Sequence, residues 1–145
     1  MKEILTSHSA VEDLPGVILL SHGEMAAGMF QAATMICGEQ ENVAVLCLEP
    51  TDGLEAYRDR LNELFDMFPN GVIVLCDMLG GSPFNSLAAV SEGRKLYGLA
   101  GANLPVLLEI LMSRSFMTLQ ELSDMAAAVA RENVVSLSEY QSSLM

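Results

Sequence analysis

Short apolar runs alternate along this chain with longer stretches of helical periodicity. The runs at residues 17–20, 43–48 and 72–76 are apolar throughout, which is typical of strands buried on both faces of a parallel sheet. A weaker run at 96–100 predicts a fourth strand, and residues 133–137 predict a short last one.

The intervening stretches predict amphipathic helices that begin at recognisable capping residues. Apolar residues recur at helical spacing after the first and second strands, after Pro105 and after Thr118. The predicted helix starts are Asp52 paired with Glu55, Ser82 before Pro83, and Thr118 paired with Glu121. Strand and helix thus alternate four times, which predicts an α/β fold: a doubly wound, mostly parallel sheet flanked by helices, in a single domain.

The chain of 145 residues has the size of one domain. Residues 1–15 are polar and irregular and end in Pro15-Gly16, so we interpret them as a flexible leader. The folded domain is then predicted at residues 16–137, with a tail at 138–145.

Composition excludes several functional classes. The net charge is −12 with only seven Lys and Arg residues, which disfavours nucleic acid and anionic membranes as partners. The apolar runs are too short to span a bilayer, and the first residues do not resemble a signal peptide. Three cysteines without a C-x-x-C pair predict buried, reduced thiols and a cytoplasmic protein. Two distant histidines predict no metal site, and no motif for a nucleotide cofactor is present.

The candidate chemistry lies where strands end. Ligands of an open parallel sheet bind beyond the carboxyl ends of its strands. His22 follows the first predicted strand and Asp77 follows the third, so the two side chains can meet if these strands are neighbours. A carboxylate that accepts the imidazole N–H fixes the tautomer and leaves the other nitrogen free to attack. We therefore predict His22 as the nucleophile and Asp77 as the residue that orients it.

The loop after Asp77 has the composition of an anion cradle. Gly80 and Gly81 permit close approach of the backbone, Ser82 offers a hydroxyl, and the helix beginning at Pro83 presents free N–H groups. Together with a histidine nucleophile, this indicates phosphoryl transfer through a phosphohistidine. Each feature also has an ordinary structural explanation: a surface histidine, a turn-forming aspartate and a tight loop that enters a helix.

Three segments resemble one protein family. They are G-V-I-L-L-S-H-G-E-M-A-A-G at 16–28, D-M-L-G-G-S-P-F-N at 77–85 and G-A-N-L-P-V-L-L-E at 101–109. They are similar to the IIA domain of the mannose/fructose/sorbose class of the bacterial phosphoenolpyruvate-dependent sugar phosphotransferase system (PTS). The likeness extends from about residue 16 to about residue 137.

The resemblance implies a role for each candidate residue. His22 would carry the phosphoryl group, Asp77 would partner it, and Gly81 and Ser82 would contact the phosphate. The donor would be the histidine-containing phosphocarrier protein and the acceptor a IIB subunit, with no cofactor. Members of the family form homodimers that exchange an antiparallel edge strand, for which residues 133–137 are the candidate.

Other functions remain open at this point. A IIA-like subunit that donates phosphate to dihydroxyacetone kinase would share the fold and the histidine. A regulatory binding module of the same fold would never be phosphorylated. A flavin- or nucleotide-binding protein is a further possibility, because the fold alone does not separate these functions.

Overall fold

The computed structural model describes residues 1–7 and 10–145 as an α/β domain. Its elements, in chain order, are β1 (Lys2–Leu5), β2 (Gly16–His22), α1 (Met25–Cys37), β3 (Val43–Leu48), α2 (Leu54–Asp66), β4 (Val72–Cys76), α3 (Ser82–Ala89), β5 (Gly98–Ala100), α4 (Leu104–Ser113), α5 (Leu119–Glu132) and α6 (Leu137–Ser143). None of the helices within these two ranges is both long and apolar enough to cross a membrane.

The sheet has five strands in the order β1-β3-β2-β4-β5. Strands β3, β2, β4 and β5 are parallel, and β1 pairs with β3 in the antiparallel direction. This confirms the predicted class of a mostly parallel sheet with helices on both faces. One apolar core lies between the sheet and α1, α4 and α5, and a second lies between the sheet and α2 and α3.

The continuous apolar runs form the central strands, because helices cover both faces of these strands. Every residue of β4 is buried, as are all residues of β2 except His22. The weaker fourth run contains β5, which is reduced to the three residues Gly98–Ala100. The order of the strands makes β2 and β4 neighbours, which is the condition that the predicted meeting of His22 and Asp77 required.

The predicted C-terminal edge strand is not formed in the single chain. Residues 133–137 form no strand: Asn133 ends α5, and α6 begins at Leu137 with Ser136 accepting a hydrogen bond from the Glu139 N–H. Val134 is 78% exposed, so in the isolated chain this segment lacks the packing that a strand needs.

The antiparallel strand is β1 instead, and the prediction of a flexible leader is therefore wrong for Lys2–Leu5. Ile4 and Leu5 are half-buried and pack on opposite faces of the sheet. Glu3 accepts hydrogen bonds from two guanidinium nitrogens of Arg60, Nε at 2.5 Å and Nη2 at 2.8 Å. The second histidine, His8, lies outside the described residues.

Two of the three predicted helix starts are corrected. The N-cap of α2 is Gly53, because the Asp52 carboxylate instead accepts the N–H of Glu49 at 2.7 Å. The N-cap of α3 is Gly81, and Ser82 is the first helical residue. The capping box of Thr118 and Glu121 is confirmed.

A substitution of Ile4 tests whether β1 is part of the fold. Ile4→Ala removes half-buried apolar surface from the core and should lower the free energy of unfolding by about 1 kcal/mol. The matched control is Val11→Ala, since the Val11 side chain is 42% exposed and its loss should change stability by less than about 0.5 kcal/mol. Urea denaturation measures both, and equal stabilities of the two variants would contradict the placement of β1.

Candidate functional site

The carboxyl ends of β2 and β4 bring His22 and Asp77 together. The ladder between these strands ends at the pair Leu20–Cys76, and the N–H of Asp77 donates to the Leu20 carbonyl at 3.0 Å. Beyond this pair, the Asp77 side chain takes the place of a backbone carbonyl as the hydrogen-bond acceptor for His22. Its Oδ2 lies 2.9 Å from the backbone N–H of His22 and 2.7 Å from the imidazole Nδ1.

Asp77 is well placed to hold the histidine in one orientation. Its Oδ1 accepts the N–H of Met78 at 2.9 Å, so the carboxylate has three nitrogen partners. The Asp77 side chain is 9% exposed, whereas the His22 side chain is 47% exposed. The ring therefore turns one nitrogen to the protein and keeps Nε2 available to a molecule arriving from solvent.

The surroundings of Asp77 keep it charged. Burial alone raises the pKa of its carboxyl, but the hydrogen bonds from the backbone and ring of His22 and from the Met78 N–H outweigh burial. The net pKa of Asp77 lies below its ordinary value. These contacts therefore stabilise the fold above the unfolded-state pKa of the carboxyl, and that stabilisation is lost as pH falls through the native-state value.

Gly81 lies against the Cε1–Nε2 edge of the imidazole. A Cβ atom at Gly81 would overlap with Cε1 of His22 and lie 3.0 Å from Nε2. The backbone of the loop can approach the reactive nitrogen only because this residue has no side chain. The predicted cradle residue Gly81 is thus in contact with His22.

The start of α3 adjoins this contact. Gly81 is the N-cap and half-buried Ser82 is the first helical residue. The N–H groups of a first helical turn have no partner within the helix, and Pro83 has none to offer, which leaves those of Ser82 and Phe84. A helix start of this kind attracts anions through its partial positive charge.

Two residues that shape the site were missed as functional candidates. The Ser21 hydroxyl accepts the N–H of Ala26 at 2.8 Å and donates to the Gly23 carbonyl at 3.1 Å, which fixes the turn after His22. Asn85 donates to the Gly80 carbonyl at 3.2 Å and closes the loop before α3. A polar residue at the end of a buried strand was the signal available for Ser21, which is 1% exposed.

The described part of the chain offers no obvious metal centre. Within residues 1–7 and 10–145, no group of three or more His, Cys, Asp or Glu side chains is arranged to hold a metal ion. The chemistry available at this edge of the sheet is that of an imidazole nucleophile, a carboxylate and backbone N–H donors.

Comparison with known proteins identifies relatives across most of the chain. Residues 16–127 match the family model described as the PTS system fructose IIA component. The chain is 28% identical to the PTS system fructose-specific EIIA component of Bacillus subtilis (strain 168), over 86% of this chain and 87% of that protein. It is 33% identical to the PTS system mannose-specific EIIAB component of Escherichia coli (strain K12), over 83% of this chain but only 39% of that longer protein.

Solved structures agree with this relationship. The phosphotransferase system component EIIA from Streptococcus agalactiae superposes with a TM-score of 0.81 at 28% identity, over 87% of this chain and 99% of that one. The mannose/sorbose specific IIA subunit from Enterococcus faecalis gives a TM-score of 0.77 at 27% identity, over 86% and 95% of the two chains.

A substitution of Gly81 tests the geometry around the imidazole. In Gly81→Ala the new methyl group should displace the His22 ring and weaken its Nδ1 bond to Asp77. Nitrogen NMR of the imidazole should show loss of the single Nδ1–H tautomer. Gly28→Ala is the control, because a Cβ there meets nothing within 4 Å and should leave the tautomer unchanged. An unaltered ring spectrum in folded Gly81→Ala would contradict the contact.

Proposed function

The chain belongs to the PTS fructose IIA family and is a sugar-transport transferase component of the mannose class, and we propose that His22 is its phosphoryl-carrying residue. The observation that supports this most directly is the 2.7 Å contact between His22 Nδ1 and Asp77, which leaves Nε2 of this 47% exposed side chain as the nitrogen beside Gly81. The proposed donor is the histidine-containing phosphocarrier protein, and the proposed acceptor is a IIB subunit, both in the cytoplasm.

Transfer to the protein would proceed by attack of the His22 Nε2 lone pair on phosphorus. The bond between phosphorus and the donor's histidine breaks, and its electron pair returns to the donor's imidazole. His22 retains its Nδ1 proton, and the Asp77 carboxylate supports the positive charge that the ring gains. The reverse sequence of bond changes passes the phosphoryl group from Nε2 to the acceptor histidine.

The phosphoryl oxygens would be stabilised by the start of α3. The N–H groups there and the hydroxyl of Ser82 supply hydrogen bonds and partial positive charge without a full cation. Asp77 bonds to the opposite nitrogen of the ring, so its charge acts on the imidazole and is kept away from the phosphate.

Phosphorylation of His22 is the first consequence to test. Incubation with phosphoenolpyruvate, the general PTS enzyme and the phosphocarrier protein should add one acid-labile phosphoryl group, detected by intact mass. His22→Ala should abolish the adduct, and His8→Ala should leave it unchanged. Labelling that survives in His22→Ala would contradict the proposal.

The Asp77→Asn variant tests the orienting role of Asp77 in the same phosphorylation assay, with the nucleophile His22 unchanged. The amide keeps the shape of the side chain but removes its charge and can favour the other tautomer. By analogy with other His–Asp pairs, the rate of transfer should fall by about 10²–10⁴-fold with the fold intact. Rapid-quench kinetics, with circular dichroism as the folding control, measures this, and a near-normal rate would remove Asp77 from the mechanism.

We further propose that the protein is a homodimer. Val134 and Leu137 are 78% and 83% exposed in the single chain, and within its described part no strand pairs with the outer edge of β5. Pairing of the segment around Val134 with β5 of a second copy would bury both, as the family resemblance implies.

Light scattering at micromolar concentration tests the dimer. It should report the mass of two chains of 15.6 kDa each. Val134→Glu should shift the mass toward one chain, because a charge would be buried at the interface. The control is Val11→Glu. Val11 follows β1, which is at the other end of the strand order from β5, so this substitution should not change the mass. A single-chain mass for the unsubstituted protein refutes the proposal.

A further inference from the structure

The edge of the sheet that carries His22 is rich in negative charge. The loops that follow β2, β3, β4 and β5 span residues 23–24, 49–53, 77–81 and 101–103. Among them these loops contain four carboxylates and no Lys or Arg. The carboxylates are Glu24, Glu49, Asp52 and Asp77. Asp52 is paired with the ammonium group of Met1 at 2.7 Å, but a phosphoryl dianion that approaches this edge still meets the other charges of its own sign.

Strand β1 brings a cation to this edge. Because β1 runs antiparallel to β3, its first residue lies beside the carboxyl ends of the parallel strands. Lys2 is opposite Cys47, and Cys47 is opposite Ser21, the residue before His22. Lys2 thus lies two strand spacings, about 10 Å, from β2, the strand that ends at His22.

The side chain of Lys2 is directed at the loop that follows His22. Its Nζ lies 2.6 Å from Oε1 of Glu24, two residues beyond the nucleophile. The pair is accessible to solvent, with 47% of the Lys2 side chain and 65% of the Glu24 side chain exposed. The hydrogen bond and the attraction between the two charges raise the pKa of Lys2 and lower that of Glu24, so both are charged at neutral pH.

We infer that Lys2 is a positioning residue for phosphoryl transfer, which acts by neutralising Glu24 beside the path of the phosphoryl group to His22. The inference rests on the proposed function of His22. Strand β1 precedes the segment matched by the family model, which begins at residue 16. The compensating charge thus comes from outside the segment that the family model matches.

The two lysines of the chain provide a matched pair for the experiment. Lys95 lies close before β5, at the amino-terminal edge of the sheet, where its Nζ bonds to Gln120 at 3.1 Å. Lys2→Met and Lys95→Met therefore change the net charge equally at opposite edges. Lys2→Arg retains the cation, and Lys2→Met combined with Glu24→Gln removes the pair without leaving a free carboxylate.

Phosphorylation by the phosphorylated histidine-containing phosphocarrier protein is followed by rapid quench at low and at high ionic strength. In Lys2→Met, kcat/KM should fall about threefold at low salt, and the loss should shrink to less than about 1.5-fold at 0.5 M salt because the free charge is screened. Lys2→Arg and the double variant should stay near the unsubstituted rate, and Lys95→Met should change little. Thermal melts confirm that each variant is folded.

Each of the other possible results would contradict either the proposed function or the role of Lys2. If the unsubstituted protein accepts no phosphate, the proposed function itself fails. If it is phosphorylated but Lys2→Met matches it at low salt, only the role of Lys2 is overturned. A loss that is equal in Lys2→Met and the double variant, or equal in Lys2→Met and Lys95→Met, also overturns it, because the effect would then come from packing or from net charge.

Discussion

The double hydrogen bond from His22 to one oxygen of Asp77 is the constraint on which the site depends. It forms where the parallel ladder of β2 and β4 ends, so a carboxylate replaces the next backbone carbonyl as acceptor. The same oxygen therefore fixes both the main chain and the ring of His22. The His22 side chain is 47% exposed, yet its orientation is defined by the residue that follows the fully buried strand β4.

The remaining features of the site follow from the need to approach Nε2 without disturbing that bond. Gly81 must lack a side chain because the ring occupies the space of a Cβ. Its position as the N-cap places the start of α3 beside the same nitrogen. A charged lysine or arginine in the loop would compete with the imidazole for Asp77, whereas backbone N–H groups offer partial charge at a fixed place. In a chain of net charge −12, the contacts proposed for the phosphoryl group therefore come from local dipoles.

The sequence allowed the central sheet and the meeting of His22 with Asp77 to be predicted, because continuous apolar runs identify strands covered on both faces. Strand β1 escaped the same reasoning since it is four residues long and only half-buried, with an unremarkable K-E-I-L sequence. Residues 133–137 resemble a strand in sequence but form none in the single chain, where their apolar side chains remain exposed. The contact of Gly81 with the ring could not be predicted, since it depends on how two loops from different strands pack. The N-cap of α3 was predicted one residue late because Ser82 is a better cap by composition than Gly81.

The two edges of the sheet differ in how they are protected from further pairing. Strand β1 closes the β3 edge with Lys2 and Glu3 side chains that are engaged in ion pairs, and charged edges resist the addition of another strand. The β5 edge has three residues and borders an apolar groove of about 370 Å³ that includes Leu99. Pairing with a second copy is therefore favoured at β5 and opposed at β1. The proposed dimer contact at β5 lies at the edge away from Glu24, so charge compensation at His22 and association would use opposite sides of one sheet.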